Sequence, residues 1–479
     1  MAKFKQNRQS HVMLLPPSID DFIPESHFAR VVSSIVDKLN TNSIENKYSH
    51  LGQNTYHPKI LLKILFYGYA TGSRSGRKLA GLCEVDCAFM YLSQMYRPDF
   101  RTINDFRKNN AFEIEGFFVD VVKVCAGLGM VKVGAISIDG SKIRANASAK
   151  RTKDRQGYEK WLEKLEGEIK QILKEADEVD AKEDDLYGDN RGDELPKEIR
   201  KKHALKEKIE EILKDFDDRN PKINLTDPDA NFMKAPKSAI DTAYNGQIAV
   251  TDNQIIVAAD VSKSANDRGE LSKMIEQTED GLDIEINQIL ADSGYSSCDN
   301  YEYLARREKD AYIPDQYFEK VKQKAYEDEK NKYHLENFIF DKQNSCYICP
   351  EGKTLKYHKK RITKQAKIKR NQAIYKGNDC LNCKVKHLCT KSKQRTISRD
   401  LREDLVLAMR EKLLSSEGQQ IYRRRLYTVE PPFAHLKYNL GYKTFLLRSI
   451  KKVRAEFKLM CIGYNLRKIW SFKTTVAAA

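Results

Sequence analysis

The chain has 479 residues, 41% of them hydrophobic and 32% charged, with 84 Lys and Arg against 68 Asp and Glu for a formal net charge of +16. At roughly 150 residues per domain this predicts about three units, with enough apolar side chain for a sizeable core, which excludes global disorder. The cation excess points to nucleic acid or another anionic surface. No stretch supplies about 18 uninterrupted apolar residues for a membrane span: Ile60 to Tyr69 carries Lys63, and Phe117 to Ile138 is broken by Asp120, Lys123 and Lys132. Met1 to Ser10 is basic but is followed only by the short apolar run Val12 to Leu15 before Pro16-Pro17, which is no signal peptide. The expected compartment is therefore the cytosol, where thiols stay reduced.

In chain order, residues 20–130 read as helices. His57 to Tyr69 is apolar at helical spacing, Thr71 to Gly76 is a turn, and Lys78 to Glu84 and Cys87 to Ser93 are two short helices. Arg97-Pro98-Asp99-Phe100 breaks the chain, and Thr102 to Asp105 opens the next helix with a capping-box pattern. Ile114, Phe117, Phe118, Val121, Val122 and Cys125 repeat near 3.6 and mark a core helix. Short helices joined by a small-residue turn suit a helix-turn-helix, and equally any small helical bundle.

From Val133 to Asp139 the pattern changes to a short buried strand ending in a carboxylate. Tyr244 to Val250 and Gln254 to Val261 form a hairpin around Thr251-Asp252-Asn253. Then come a helix (Gly269 to Glu279), a strand (Ile284 to Leu290) running into Asp292, a helix (Asp299 to Arg307) and a strand (Ala311 to Pro314), a mixed α/β order. Residues 150–216 interrupt it. Trp161, Leu165, Ile169, Ile172 and Ala176 form one apolar stripe and Leu205, Ile209, Ile212 and Phe216 another, around an acidic loop from Asp184 to Asp193. This predicts an antiparallel helical hairpin serving as a packing or dimerisation arm. Residues 316–400 interrupt it again, and 351–400 hold 16 Lys or Arg against 3 Asp or Glu. That is a footprint for a polyanion, or a solvated charged face.

Two constellations carry chemistry. Cys346-x2-Cys349 and Cys380-x2-Cys383 form two knuckles for a structural zinc, with Cys389 and His387 as further candidates; free buried thiols are the alternative. Asp139 and Asp292 each end a strand beside a Gly or Ser-Gly, where an Asp is often only a turn former. Two such carboxylates from one sheet can instead converge on Mg²⁺, which takes oxygen ligands. A pair of ions about 3.5 to 4 Å apart can clamp the attacking and leaving oxygens of a phosphoryl transfer. Glu430 is the best third carboxylate, among the cations Arg423, Arg424, Arg425 and Lys437; Lys437 lies seven positions on, two helical turns, and Pro431-Pro432 place Glu430 at a helix start or a kink.

Ile136-Ser-Ile-Asp139-Gly-Ser-Lys-Ile-Arg-Ala-Asn146, Leu290-Ala-Asp292-Ser-Gly-Tyr295 and Val429-Glu430-Pro-Pro-Phe433 together resemble the DDE transposases of bacterial insertion sequences, and among those the insertion sequence 1182 family. Tyr56-His57-Pro58, Arg97 to Arg107, Asp227-Pro-Asp-Ala230, Tyr244 to Gln247 and Cys461 to Lys468 agree with it, so the resemblance spans nearly the whole chain. It implies an α/β fold: an RNase H-like mixed-sheet core with an N-terminal helical domain, a helical-hairpin insertion and a Cys-rich, zinc-ribbon-like insertion. The expected divisions are 1–130 (helical, DNA-binding), 131–149 and 217–315 (core), 150–216 (hairpin), 316–400 (basic, Cys-rich) and 401–479 (helices completing the core).

The resemblance makes Asp139, Asp292 and Glu430 the catalytic residues and the ligands of two Mg²⁺ or Mn²⁺ ions. It puts Tyr422, Arg425, Lys437, Arg97, Arg101, Arg107 and Lys142 on DNA. In the related signature three residues separate Arg from Glu; here four separate Arg425 from Glu430. The implied activity is metal-dependent cleavage and strand transfer at terminal inverted repeats into target DNA, by a homodimer or larger assembly, nucleoid-associated in a bacterial cytoplasm. The rivals are a nuclease that does not join ends and an inactive DNA-binding relative.

Overall fold

A computed structural model describes residues 18–48, 55–132, 134–187, 197–216, 222–234, 240–322, 332–365, 368–400 and 402–478. The chain divides into two compact units, one of residues 1–130, 434–447 and 451–479 and the other of 131–433 and 448–450. Among the described residues no helix is long and apolar enough to cross a membrane.

The first unit is helical: α1 (Phe28–Lys38), α2 (Asn42–Glu45), α3 (Pro58–Ala70), α4 (Gly76–Val85), α5 (Cys87–Leu92), α6 (Phe100–Asn109) and α7 (Ala111–Gly127). His57 caps α3 by accepting the Lys59 N–H at Nδ1, and Pro58 occupies the first helical position, where a missing N–H costs nothing. Nearly every side chain of α3 is buried, the mark of a central helix. The start of α6 differs from the capping box expected at Thr102. Asp99 is the cap, accepting the Arg101 N–H at 2.8 Å, so the helix begins at Phe100. α7 buries the six residues that its periodicity picks out.

The second unit is built on a mixed sheet. Its strands are β1 (Ala135–Arg144), followed by the short β2 (Thr152–Lys153), helices α8 (Arg155–Tyr187) and α9 (Lys197–Lys214), and β3 (Ile223–Asn224). Then come β4 (Asn231–Lys234), β5 (Ile240–Thr251), β6 (Ile256–Ser262), α10 (Leu271–Leu282), β7 (Gln288–Ala291), α11 (Cys298–Arg306) and β8 (Asp310–Tyr312). The sheet order is β4-β5-β1-β7-β8, with β6 also on β5; β1 runs antiparallel to β5 and parallel to β7, and β7 runs parallel to β8. The strand expected to end at Asp139 continues to Arg144, because β5 pairs with it along that length.

α8 and α9 pack through Tyr158, Leu165, Ile169, Ile209 and Ile212, with Trp161, Leu205 and Phe216 against them. α8 runs to Tyr187, into the stretch expected as an acidic loop; 188–193 of that loop lie outside the described residues. After α12 (Phe318–Lys322), an antiparallel sheet follows of β9 (Ile339–Asp341), β10 (Cys346–Ile348), β11 (Thr354–Gln365), β12 (Ile368–Gly377) and, beyond α13 (Lys386–Cys389), β13 (Thr396–Asp400). Helices α14 (Glu403–Leu414), α15 (Ser416–Thr428), α16 (Glu430–Ala434) and α17 (Ile450–Ala478) close the chain.

Residues 401–479 therefore do not all complete the sheet unit, since the chain beyond Phe433, apart from 448–450, groups with the N-terminal helices. Gly463 of α17 is part of the reason. A Cβ there would stand 2.8 Å from Ala70 N and Tyr69 C, so only glycine lets α17 meet the α3 backbone. Gly463→Ala should cost about 1–3 kcal/mol by overpacking. Gly116→Ala on α7, where a Cβ meets nothing within 4 Å, should gain about 0.5–1 kcal/mol. Urea unfolding of both variants checks this, and equal effects would refute the close-approach argument.

Candidate active site

The site is built from strand register. β1 and β7 are parallel with Ile138 opposite Ala291, so Asp139 and Asp292 are the next residues along two adjacent strands. Each carboxylate is steadied by a nearby glycine N–H: Asp139 Oδ1 accepts from Gly140 at 2.9 Å, and Asp292 Oδ1 from Gly294 at 2.9 Å. Asp292 thereby caps the single 3₁₀ turn Ser293–Tyr295.

α15 brings the counter-charge. Tyr422, Arg425 and Thr428 recur every three residues and share one helix face. Thr428 Oγ1 donates to Ser137 Oγ of β1 at 2.6 Å, and Tyr422 packs on the cluster of Leu290, Tyr312, Phe318 and Leu413. Between them Arg425 Nη2 lies 3.3 Å from Asp139 Oδ1 and 3.8 Å from Asp292 Oδ2. The adjacent Arg424 faces elsewhere, donating to Gln288 and Asp252.

Asp267, just before α10, is a third carboxylate at this site, and no sequence pattern singled it out. Its Oδ1 accepts from Asn245 Nδ2 at 2.6 Å, from Gln247 Nε2 at 2.7 Å and from Lys142 Nζ at 3.4 Å. A Cβ on Gly140 would come within 2.5 Å of Asp267 Oδ1, and one on Gly294 within 3.1 Å of its Oδ2. Asp267 is thus lodged against the backbone beside both strand acids. Gln247 also accepts a hydrogen bond from Tyr295 OH, tying β5 to the turn after β7. The available signal was the run of polar side chains in a strand, Asn245 and Gln247, both fully buried and so in need of a partner.

The electrostatics follow from burial. Asp139 is raised from 3.8 to about 6: burial is the largest cause, Arg425 and the Gly140 N–H oppose it, and Asp292 and Asp267 add to it. Burial works to lower Arg425, but Asp139, Tyr422, Asp292 and Glu430 outweigh it and raise its pKa. Two buried polar atoms at the site have no hydrogen-bond partner, Arg425 Nε and Asn245 Oδ1.

Glu430 opens α16 and is exposed, with Pro431 and Pro432 in the first turn as their missing N–H groups require. Its field reaches Arg425, yet among the described residues no group of three or more His, Cys, Asp or Glu is arranged to hold a metal ion. The structure therefore brings Asp139 and Asp292 together but does not draw Glu430 into a preformed trio with them. Donor chemistry still fits a hard divalent cation: Asp139 and Asp292 offer carboxylate oxygens, and Asn245 Oδ1 is an orphaned acceptor nearby.

The remaining expected residues divide. Arg97 and Arg101 are exposed. Arg107 corrects the sequence reading: it is 3% exposed, and its guanidinium donates to Tyr69 OH at 2.8 Å, Arg74 O at 3.0 Å and Asn104 Oδ1 at 3.1 Å, so it holds the helical core and does not face DNA. Lys142 points to Asp267, inside the site. Lys437 falls in a π-helical turn, His435–Asn439, of the first unit, so the α-helical spacing argued from Glu430 does not hold. Of the cysteines, Cys349, Cys380, Cys383 and Cys389 line one cavity, whereas Cys346 and His387 do not.

Two family models match the chain. Residues 348–470 match the one described as "Transposase DDE domain", which takes in Arg425 and Glu430, and residues 17–109 match "Transposase domain (DUF772)", which takes in α1 to α6. No curated protein and no solved structure matches. The matches indicate a transposase of the DDE type. Asp139 and Asp292 lie outside both matched ranges and are placed at the site by the sheet alone.

Asp267→Ala would leave the buried donors of Asn245 and Gln247 without their shared acceptor. At about 1–3 kcal/mol each, stability should fall by about 2–5 kcal/mol. A loss below about 1 kcal/mol in denaturant unfolding would mean that Asp267 does not hold the strands.

Proposed function

We propose that this chain is the transposase of an insertion sequence of the 1182 family, which binds its terminal inverted repeats, cleaves them and joins the freed ends to target DNA. The observation that carries the reading is the parallel pairing that sets Asp139 beside Asp292 under Arg425. The order β6-β5-β1-β7-β8, with only the last three strands parallel, supports an RNase H-like core. Asp139 and Asp292 would hold divalent cations, with Glu430 supplied from the start of α16 and Asp267 fixing the backbone around them. Bound Mg²⁺ or Mn²⁺ would activate water or a 3′-OH and neutralise charge on the phosphate.

This chain's residues do the positioning. Arg425 supplies a guanidinium whose Nε is unpartnered, suited to a phosphate oxygen. Arg97 and Arg101 and the β11–β12 ribbon, with exposed Lys356, Lys359, Lys360 and Arg361, supply contacts to the DNA backbone. The helices between Tyr56 and Lys108 would select the terminal repeat. A dimer or larger assembly would hold two ends at once.

Asp139→Asn should abolish Mg²⁺- and Mn²⁺-dependent cleavage and strand transfer while leaving repeat binding within about twofold. Retained cleavage would reject the assignment, and cleavage by the unmodified protein without strand transfer would favour a nuclease. The raised Asp139 sets a pH signature. Without cations, the stability that this group contributes is full below about 4 and is lost as pH rises through about 6, because the fold favours its protonated form. Cations must displace that proton, so the rise in Tm on adding Mn²⁺ should be larger at pH 7.5 than at pH 5 and absent in Asp139→Asn. A rise independent of pH would place the ion elsewhere.

Neutralising Lys356, Lys359, Lys360 and Arg361 together should weaken binding to all sequences alike. The slope of log affinity against log salt should flatten by about 0.9 for each DNA phosphate that the ribbon no longer neutralises. Altered repeat preference with an unchanged slope would reverse the roles of this ribbon and the helical unit.

A further inference from the structure

The second sheet gathers four cysteines from separate stretches around one cavity of about 30 Å³. Cys349 follows β10, Cys380 and Cys383 lie in the turn after β12, and Cys389 ends α13. We propose that Cys349, Cys380, Cys383 and Cys389 bind one structural Zn²⁺, which fastens the turn after β10 to the segment between β12 and β13.

Cys346 is not part of the set. It precedes Tyr347 on β10, and consecutive strand residues face opposite sides. Tyr347 belongs to the cluster of Phe338, Leu355, Tyr375 and Ile397 against which Cys349 and Cys389 pack. The ligand spacing is therefore Cys349-x30-Cys380-x2-Cys383-x5-Cys389, and the first CxxC of the sequence contributes only its second member.

The backbone around the sulfurs is shaped for thiolates. Cys349 Sγ accepts the Lys353 N–H at 3.3 Å, and Cys380 Sγ accepts the Arg395 N–H at 3.4 Å. Hydrogen bonds of this kind stabilise sulfur carrying negative charge. The turn behind Cys349 is closed by Cys349 N to Lys353 O and Gly352 N to Cys349 O, both 2.8 Å, with Gly352 at φ +75°. Four thiolates on Zn²⁺ would leave a net −2, and among the charged side chains lining the same cavity the cations Lys353, Lys386 and Arg395 outnumber the acids Glu351 and Asp379. Arg395 Nε is buried without a hydrogen-bond partner. Among the described residues no group of three or more His, Cys, Asp or Glu is already arranged to hold a metal ion, so Zn²⁺ would have to draw the four sulfurs together across the cavity they line. All four are unpaired thiols, and soft sulfur donors select zinc over the hard cations proposed for the carboxylates.

The test uses the full chain purified under reducing conditions with zinc and without chelator or a polyhistidine tag. About one Zn per chain is expected by elemental analysis, with an X-ray absorption shell of four sulfurs at about 2.3 Å. Cys380→Ser and Cys389→Ser should each lower the zinc content at least fivefold, while Cys346→Ser should keep it. No zinc in the unmodified protein, or a shell containing nitrogen or oxygen, overturns the proposal. So does loss of zinc in Cys346→Ser with retention in Cys389→Ser. Because the absorption measurement is made on the unmodified protein, it decides even if a variant does not fold. Carboxylate substitutions such as Asp139→Asn should leave the zinc content unchanged, which separates this ion from those of the active site.

Discussion

The sheet unit depends on one constraint: β1 and β7 lie parallel in a register that makes Asp139 and Asp292 neighbours. Asp139 is largely buried and feels Asp292, which is more open to water, as a neighbouring like charge, a repulsion that strengthens as effective dielectric falls with burial. The fold answers with Arg425, and much else follows from the need to hold it there. Thr428 anchors α15 to Ser137, Tyr422 is packed below, and both strand acids take an N–H from a nearby glycine. Those glycines cannot carry a Cβ without striking Asp267 or its partners, so the sequence around both acids is constrained by shape as well as charge.

The parts legible in the sequence were those set by local periodicity. The apolar stripe of α7, the hairpin of β5 and β6, and the parts of the α8–α9 stripes formed by Trp161, Leu165 and Ile169 and by Leu205, Ile209, Ile212 and Phe216 stand as expected, because a repeat of 3.6 or 2 reports directly on a buried face. Asp139 and Asp292 stood out in the sequence because each follows a short apolar run, although β1 continues past Asp139 to Arg144. What failed depended on tertiary partners. Arg107 looked like a cation for DNA, but its partners Tyr69 and Arg74 come from elsewhere in the helical unit. Thr102 made a plausible cap, yet Asp99, three residues earlier, satisfies the first turn and moves the helix start. Asp267 sits in a loop with no periodicity, and only the fold shows that Asn245, Gln247 and Lys142 converge on it.

The cysteines show the same division. Spacing alone pairs Cys346 with Cys349, since CxxC is the usual knuckle. Strand alternation overrides it: with Tyr347 turned into the aromatic cluster, Cys346 is committed to the other face, and Cys389 takes its place on the cavity. A two-residue spacing in a strand and the same spacing in a turn are different geometries, a distinction invisible before the strand is located.

The candidate site does not neutralise its own charge. Asp139, Asp292 and Asp267 contribute −3, against +2 from Arg425 and Lys142, so the cleft is net negative when all are ionised. The rise of Asp139 to about 6, despite a guanidinium 3.3 Å away, shows that one arginine does not offset burial and two neighbouring acids. A phosphodiester entering alone would add another negative charge to this cleft, although the chain as a whole carries +16. The proposed division of labour resolves the mismatch. In it, cations spread over Arg97, Arg101 and the β11–β12 ribbon would attract the polymer from a distance, while the cleft would take small hard cations first. Association and chemistry would then respond to different variables: binding to monovalent salt through the basic surface, and cleavage to divalent ions and protons through Asp139.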